Sequence, residues 1–247
     1  MFVKKMLEIF FNKMGFLLIP KWQINTYLLI KRLKRIIREY EIDCIIDVGA
    51  NIGQYGDLLR KQVGYKGLLI SFEPDPECFN ILQQTSRHDE LWQVHNFALG
   101  NENTTTQLNI MATREFNSFL EPDHEVIDTF KEHNSIKDTV DVQVRRLEQV
   151  LTELKSKHVF SRIFLKIDTQ GYDLKVFEGA GDSLDQIHGI QTEVSFTPIY
   201  KEMPSFEHSI KIFTEKGYKV SGLYAVDESL FPEAVEFDCI YLKEKSN

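Results

Sequence analysis

Residues 45–56 read Ile45-Ile46-Asp47-Val48-Gly49-Ala50-Asn51-Ile52-Gly53-Gln54-Tyr55-Gly56, an apolar run that ends in an acid and passes at once into a glycine-bearing turn. Tyr55, Leu58, Leu59 and Val63 then recur at helical spacing. Strand, tight turn and helix are how an open parallel sheet forms a nucleotide pocket at its carboxyl edge. A dinucleotide fold needs glycines at the first, third and sixth positions, because a pyrophosphate must approach bare backbone at the helix N-terminus. Counted from Gly49, the third position is Asn51 and the sixth is Gln54. Side chains therefore stand where phosphate oxygens would sit. The turn suits a nucleoside ligand without phosphates, and S-adenosylmethionine is the common one.

The second strand carries the matching signal. Gly67-Leu68-Leu69-Ile70-Ser71-Phe72 reads as a buried strand, and Glu73 follows it, 24 residues after Gly49. An acid about 20 residues beyond the glycine turn typically accepts from both ribose hydroxyls and would repel a 2′-phosphate. Pro74 and Asp75 then turn the chain into the next helix. Asp47 and Glu73 thus close two consecutive strands; the alternative is that each merely caps the helix after it.

Further along, strands are expected at 44–48, 67–72, 92–97, 163–168 and 189–196, with helices at 54–63, 77–85, 147–156, 173–178 and 206–216. This alternation predicts an α/β fold, a mostly parallel sheet with helices on both faces. Late strands at 218–225 and 236–243 bring the sheet to seven, the last one antiparallel. Residues 1–41 are expected to form a helical extension before the main domain at 42–247. Within that domain, 101–146 is an insertion: a hairpin begins near Asn101, runs through Gln107 to Met111, and is closed by a strand at Val140–Val144. Insertions at the carboxyl edge of such sheets commonly build substrate pockets.

Between about residues 42 and 243 the chain resembles the FkbM-type family of S-adenosylmethionine-dependent methyltransferases. The likeness is carried by Asp47 to Gly53, Phe72-Glu73-Pro74, Ala98-Leu99-Gly100, Leu165-Lys166-Ile167-Asp168-Thr169-Gln170-Gly171-Tyr172-Asp173, Gly179-Ala180 and Glu193-Val194-Ser195-Phe196 with Pro198 and Tyr200. Lys-Ile-Asp-x-x-Gly is the most distinctive block. Gln170 and Asp173 stand where many members of that family carry Glu. The resemblance implies a Rossmann-like class I methyltransferase fold and O-methylation, usually of a sugar, glycan or secondary-metabolite hydroxyl. A nicotinamide-dependent oxidoreductase is the alternative enzyme, and the broken fingerprint speaks against it. A non-catalytic nucleoside-binding module is the third reading, against which Asp168 and Glu193 stand.

On this reading the cofactor is held by Asp47, Gly49, Asn51, Gly53, Tyr55, Glu73, Asp75, Asn96, Ala98 and Asp168. The catalytic candidates are Asp168, Glu193 and Lys166. Methyl transfer from a sulfonium needs an aligned oxygen, a dry site and a proton acceptor. Asp168, at a strand end, can orient the donor's amino group, take the hydroxyl proton or ligate a divalent ion. Lys166 lies two residues back on the same strand face and is either an ion-pair partner of a nearby acid or a substrate contact. Glu193 is a charge inside an apolar strand, which suggests an acceptor-site base, a hydroxyl ligand, or the partner of Lys166. Tyr200 and Lys201 suit a substrate wall. Leu99 and His95 lie near the expected adenine edge, although core packing explains Leu99 and Ala98 equally well. The remaining histidines show no ligand spacing and no metal site is announced; Asp75 and Asp168 are the residues that would help hold Mg²⁺.

Charge decides between partners. The net charge of −8 hides +7 over residues 1–40, which leaves −15 for the rest. An acidic body argues against a nucleic-acid acceptor, since binding a polyanion relies on a basic face. Enzymes that methylate base amino groups usually carry an Asn-Pro-Pro-Tyr-like turn where this chain has Asp168-Thr169-Gln170-Gly171. In the basic arm, Val3, Leu7, Phe10, Met14 and Leu17 recur at helical spacing, opposite Lys5, Glu8 and Asn12. Beyond Pro20, a second helix from about Asn25 to Glu39 has Leu29, Leu33, Ile36 and Ile37 as its stripe, ringed by Lys31, Arg32, Lys34, Arg35 and Arg38. These helices pack on the sheet as a lid or on a second subunit, lie on an anionic membrane, or dock to a biosynthetic partner. The expected location is the cytoplasm, including the inner face of the membrane. Three well-separated cysteines in apolar runs fit buried thiols there, and Asn12 and Lys13 break up any leader-like segment.

Overall fold

The computed structural model describes residues 6–7, 10–11, 13–19, 24, 26–125, 130–225 and 235–244. Its main sheet has seven strands in the order β3-β2-β1-β7-β8-β10-β9. These are β1 (Cys44–Val48), β2 (Leu68–Phe72), β3 (Trp92–His95), β7 (Ile163–Ile167), β8 (Ile187–Ser195), β9 (Tyr218–Ala225) and β10 (Glu236–Lys243). β1 and β7 are central and wholly buried, apolar except for Asp47 and Lys166, as strands covered on both faces are. Pairing is parallel from β3 through β8; β10 runs antiparallel to both β8 and β9.

The chain leaves β1 for β2 on one side, and β7 lies on the other. That reversal opens a crevice at the carboxyl ends of β1 and β7, where open α/β sheets bind ligands. Gly49 makes the crevice floor. Its φ is +76°, and a Cβ there would sit 1.9 Å from the Asp168 carbonyl oxygen. Only glycine lets the two strand ends come this close.

The expected helix at 54–63 divides into α2 (Gln54–Leu58) and a π-turn over Leu59–Val63, where the N–H groups of Gly64 and Tyr65 both reach the Leu59 carbonyl. α3 (Pro76–Ser86), α4 (Leu147–Lys155), α5 (Asp173–Glu178) and α6 (Phe206–Glu215) lie within two residues of expectation. The insertion is a second, three-stranded sheet ordered β4-β6-β5, built from β4 (Ala98–Gly100), β5 (Thr104–Met111) and β6 (Ile136–Arg146). β6 is thus longer than the expected closing strand. β4 was not foreseen: the third strand stops at His95, and the chain restarts in the other sheet.

Helix α1 (Tyr27–Glu39) buries Leu29, Ile30, Leu33 and Ile36 against Ile45, Leu59, Leu69 and Phe164, which fixes it on one sheet face. Ile30 takes the buried place expected of Ile37, which is half-buried. Val3, Lys5, Glu8, Asn12, Pro20 and Asn25 lie outside the described residues. The described residues between 6 and 13 are helical, but Met6, Leu7 and Phe10 are exposed. All three cysteines are buried and free.

Candidate active site

A cavity of about 340 Å³ fills the crevice. Its floor is Gly49, Ala50 and Asn51; one end holds Glu73 and the other Lys166, Asp168 and Asp238. Phe72, Pro74, Ala98, Leu99, Leu108 and Phe119 give it an apolar flank. Leu29 of α1 and Arg114 of the insertion also reach the wall, so both accessory segments help enclose it.

At the β2 end of the cavity, Glu73 is 6% exposed. One carboxylate oxygen accepts from the Asn51 N–H at 2.7 Å and the other from the Asp75 N–H at 2.8 Å. Burial nevertheless pushes its pKa up to about 7, outweighing those two bonds. Asn51 explains why the third turn position is not glycine. It sits at φ +48°, a region asparagine tolerates, and its side-chain oxygen accepts from the Ile52 N–H at 2.7 Å. Its side chain therefore folds back on the turn.

Four sequence-predicted cofactor residues stand behind the wall rather than on it. Asp47 is fully buried, accepting from the Ser71 hydroxyl at 3.0 Å with Lys166 Nζ at 3.6 Å. Burial raises its pKa, and Lys166 pulls in the opposite direction. Asp47 thus faces Lys166 and Ser71 inside the sheet and does not line the cavity. Gly53 sits at the start of α2 with φ +98° and shapes the turn. Asp75 caps α3 through the Glu77 N–H and is bound by Arg114 and by Asn117 Nδ2, which ties the insertion to the β2 end. Asn96 donates to the Glu73 carbonyl at 2.8 Å and steadies that loop from outside.

At the opposite end, Lys166 is 7% exposed. Its ammonium is 3.1 Å from Asp168 Oδ2 and lies over the Tyr55 ring. Burial alone would lower its pKa; Asp168 and then Asp47 reverse this and hold it raised. Its partners are thus Asp168 and Asp47, not Glu193. Tyr55 donates to Gln191 Oε1 at 2.9 Å, and Gln191 donates to Asp238 Oδ1 at 2.9 Å. Burial lifts Asp238 to about 6.

Glu193 does not line the cavity. It accepts from Gln170 Nε2 at 2.9 Å, and the same amide nitrogen is 3.2 Å from Asp168 Oδ1. Burial, then Glu236, drive the Glu193 pKa well up. Gln170 is the junction here: at φ +50° it bridges both acids and also accepts from the Tyr200 hydroxyl at 3.0 Å. Tyr200 is buried behind the wall, whereas Lys201 is exposed and paired with Glu121. His95 is likewise off the wall, its ring 5.1 Å from that of Phe72. Among the described residues no group of three or more His, Cys, Asp or Glu is arranged to hold a metal ion.

The residues that sequence reading missed are Asp238, Gln191, Arg114, Asn117 and Phe119. Asp238 carried a usable signal, since it is a charge in the apolar run Phe237-Asp238-Cys239-Ile240 and pairs in register with Glu193. The others are delivered by tertiary contacts and had no local signature.

The family profile described as the methyltransferase FkbM domain matches residues 47–220. Among solved structures, a methyltransferase FkbM from Methylobacillus flagellatus KT is similar at 15% identity and a TM-score of 0.50, over 82% of this chain and 44% of that one. The chain thus spans less than half the length of that protein. The METTL16 methyltransferase domain is similar at 11% identity and a TM-score of 0.50, over 92% and 71% of the two chains. An rRNA methylase from Streptococcus thermophilus follows at 9% identity and a TM-score of 0.47, over 90% and 97%. No curated protein matches the chain in sequence.

Proposed function

Since the chain belongs to the FkbM methyltransferase family, we propose that it is an S-adenosylmethionine-dependent O-methyltransferase acting on a hydroxyl of a sugar, glycan or secondary-metabolite intermediate. One observation carries this reading: a single cavity joins a diol-accepting carboxylate, Glu73, to an acid-rich end at Asp168 and Asp238. The residues present fit the cofactor. Glu73 keeps a free lone pair on each oxygen for ribose hydroxyls. The flank of Phe72, Ala98, Leu99 and Leu108 suits a flat base, and the Gly49 approach leaves backbone bare for the turn between them. When bound, the cofactor supplies an activated methyl group on a sulfonium.

The chain's own residues supply placement and proton handling. Lys166 holds Asp168 at the cavity, where its carboxylate can accept a hydrogen bond from the acceptor hydroxyl and fix the oxygen. Asp238 is the better proton acceptor, because its raised pKa makes it more basic than an ordinary aspartate while still ionised at neutral pH. Gln191 and Tyr55 hold it in place. Gln170 bridges Glu193 and Asp168 through one amide nitrogen and so fixes the two carboxyl groups side by side.

Fold likeness does not choose the acceptor, and the balance of charge supports one reading. A catalytic body near −15 disfavours a polyanion and supports a small or glycan acceptor. The test is turnover with methyl-labelled donor against a panel of saccharides, hydroxylated small molecules and RNA. Label in an alkali-stable ether of a saccharide or small molecule is expected; label in RNA alone would overturn the acceptor assignment.

A further inference from the structure

We infer that the N-terminal segment around α1 is a docking surface for an anionic lipid bilayer. Among the described residues, nine of the sixteen exposed large apolar side chains fall within residues 6–28. They include Phe10 at 56%, Phe16 at 60%, Leu17 at 53% and Leu28 at 62% exposed. The Phe10, Phe11 and Phe16 rings pack on one another, with centroids 5.6 and 6.5 Å apart, instead of on the core. A soluble domain scatters such residues singly, and their concentration marks an interaction surface.

Charge names the occupant. α1 turns Leu29, Ile30, Leu33 and Ile36 inward and leaves Lys31, Lys34 and Arg35 exposed, with no ion pair for these three among the described residues. Residues 1–40 hold nine basic residues against two acids, while the remainder of the chain is strongly acidic. Exposed Phe and Leu beside unneutralised Lys and Arg is the composition of a segment that lies in a lipid interface. A protein partner fits less well, because lysine is depleted at protein interfaces. A second copy meeting this face with its own would set +7 against +7.

Co-sedimentation of the full chain with vesicles tests this, using phosphatidylcholine alone and phosphatidylcholine with about a third phosphatidylglycerol, at low and high salt. Binding to the anionic vesicles, weakened by salt and much lower on neutral ones, is expected. Each basic residue near a charged surface contributes about fivefold in partitioning, so Lys31→Gln/Lys34→Gln/Arg35→Gln should lose about a hundredfold. Phe10→Ser/Phe16→Ser should weaken binding while its salt dependence stays. Both variants should bind the demethylated cofactor product as the parent does, which separates lost docking from lost folding. Equal binding to both vesicle types, or none to either, overturns the proposal. So does a lipid-free dimer in light scattering that the same substitutions dissolve, which would assign the face to a second copy.

Discussion

Glu73 offers the sharpest test of the proposed cofactor site. Its carboxylate accepts two backbone N–H bonds, at 2.7 and 2.8 Å, yet burial holds its pKa at about 7. Glu73→Gln keeps the shape and removes the charge. One N–H partner then faces an amide NH₂, a loss of about 1–3 kcal/mol for an unmet buried donor. Against this, the variant is relieved of burying a charge, so its stability should change little. Affinity is different. Hydrogen bonds from ribose hydroxyls to a charged acceptor contribute about 1.5–3 kcal/mol each, and losing one weakens the cofactor product about ten- to a hundredfold. The parent should also respond to pH. With a pKa near 7, only about one molecule in eleven is ionised at pH 6 and about ten in eleven at pH 8, so apparent affinity should fall about tenfold between pH 8 and pH 6. In the variant that dependence should vanish. Isothermal titration calorimetry with the demethylated product at both pH values measures both quantities. A folded variant with the parent's affinity and the parent's pH slope would refute the ribose assignment.

Lys166→Met should cost about 3–5 kcal/mol of stability, because it leaves Asp47 fully buried without its cation; a denaturant midpoint equal to the parent's would show that Asp47 is held neutral instead. Asp238→Asn should lower kcat about a hundredfold or more and abolish its rise with pH near 6, while binding of the cofactor product stays close to the parent's. A pH–rate profile unchanged in shape would remove Asp238 from proton transfer. Glu73 and Glu236 titrate at about 7 in the folded chain, and Asp173 and Asp238 at about 6, all raised by burial. Between the unfolded values near 4 and these folded ones, the unfolded chain releases protons that the folded chain keeps. Stability should therefore decline as pH rises through 6 and 7. Calorimetric Tm at pH 5.5 should exceed that at pH 8, and cofactor binding should narrow the gap.

What was legible in the sequence was what is local. β1, the Gly49 turn, β2 and Glu73 lie within 30 residues and each has a periodicity or a turn chemistry of its own. The opposite end of the cavity is assembled across the sheet. Tyr55 meets Gln191 over 136 positions there, and at the β2 end the insertion's tie is as remote, Arg114 meeting Asp75 over 39. Neither pairing leaves a trace in spacing. The N-terminal arm shows the same division: its second helix was readable from an apolar stripe, but which stripe residue would be buried depended on the sheet beneath it.

Asp47 shows how an accurate local reading of a strand leaves open whether its acid faces the cavity or the sheet interior. Register aligns Ser71 with Asp47, Asp47 with Lys166, and Lys166 with Gln191, so four polar residues cross four adjacent strands in one row. Side chains that share a row and a face are neighbours, and in this row Ser71 and Asp47 stay inside the sheet while Lys166 and Gln191 reach the cavity. An acid one residue short of the strand end thus enters the row, while Glu73 and Asp168, each one residue past its strand end, reach the cavity. The row still matters for chemistry. Its single cation has one buried acid to neutralise and one exposed acid to hold, and only the second faces a ligand. A buried lysine so placed turns interior electrostatics into the orientation of Asp168, the group that the proposed reaction needs fixed.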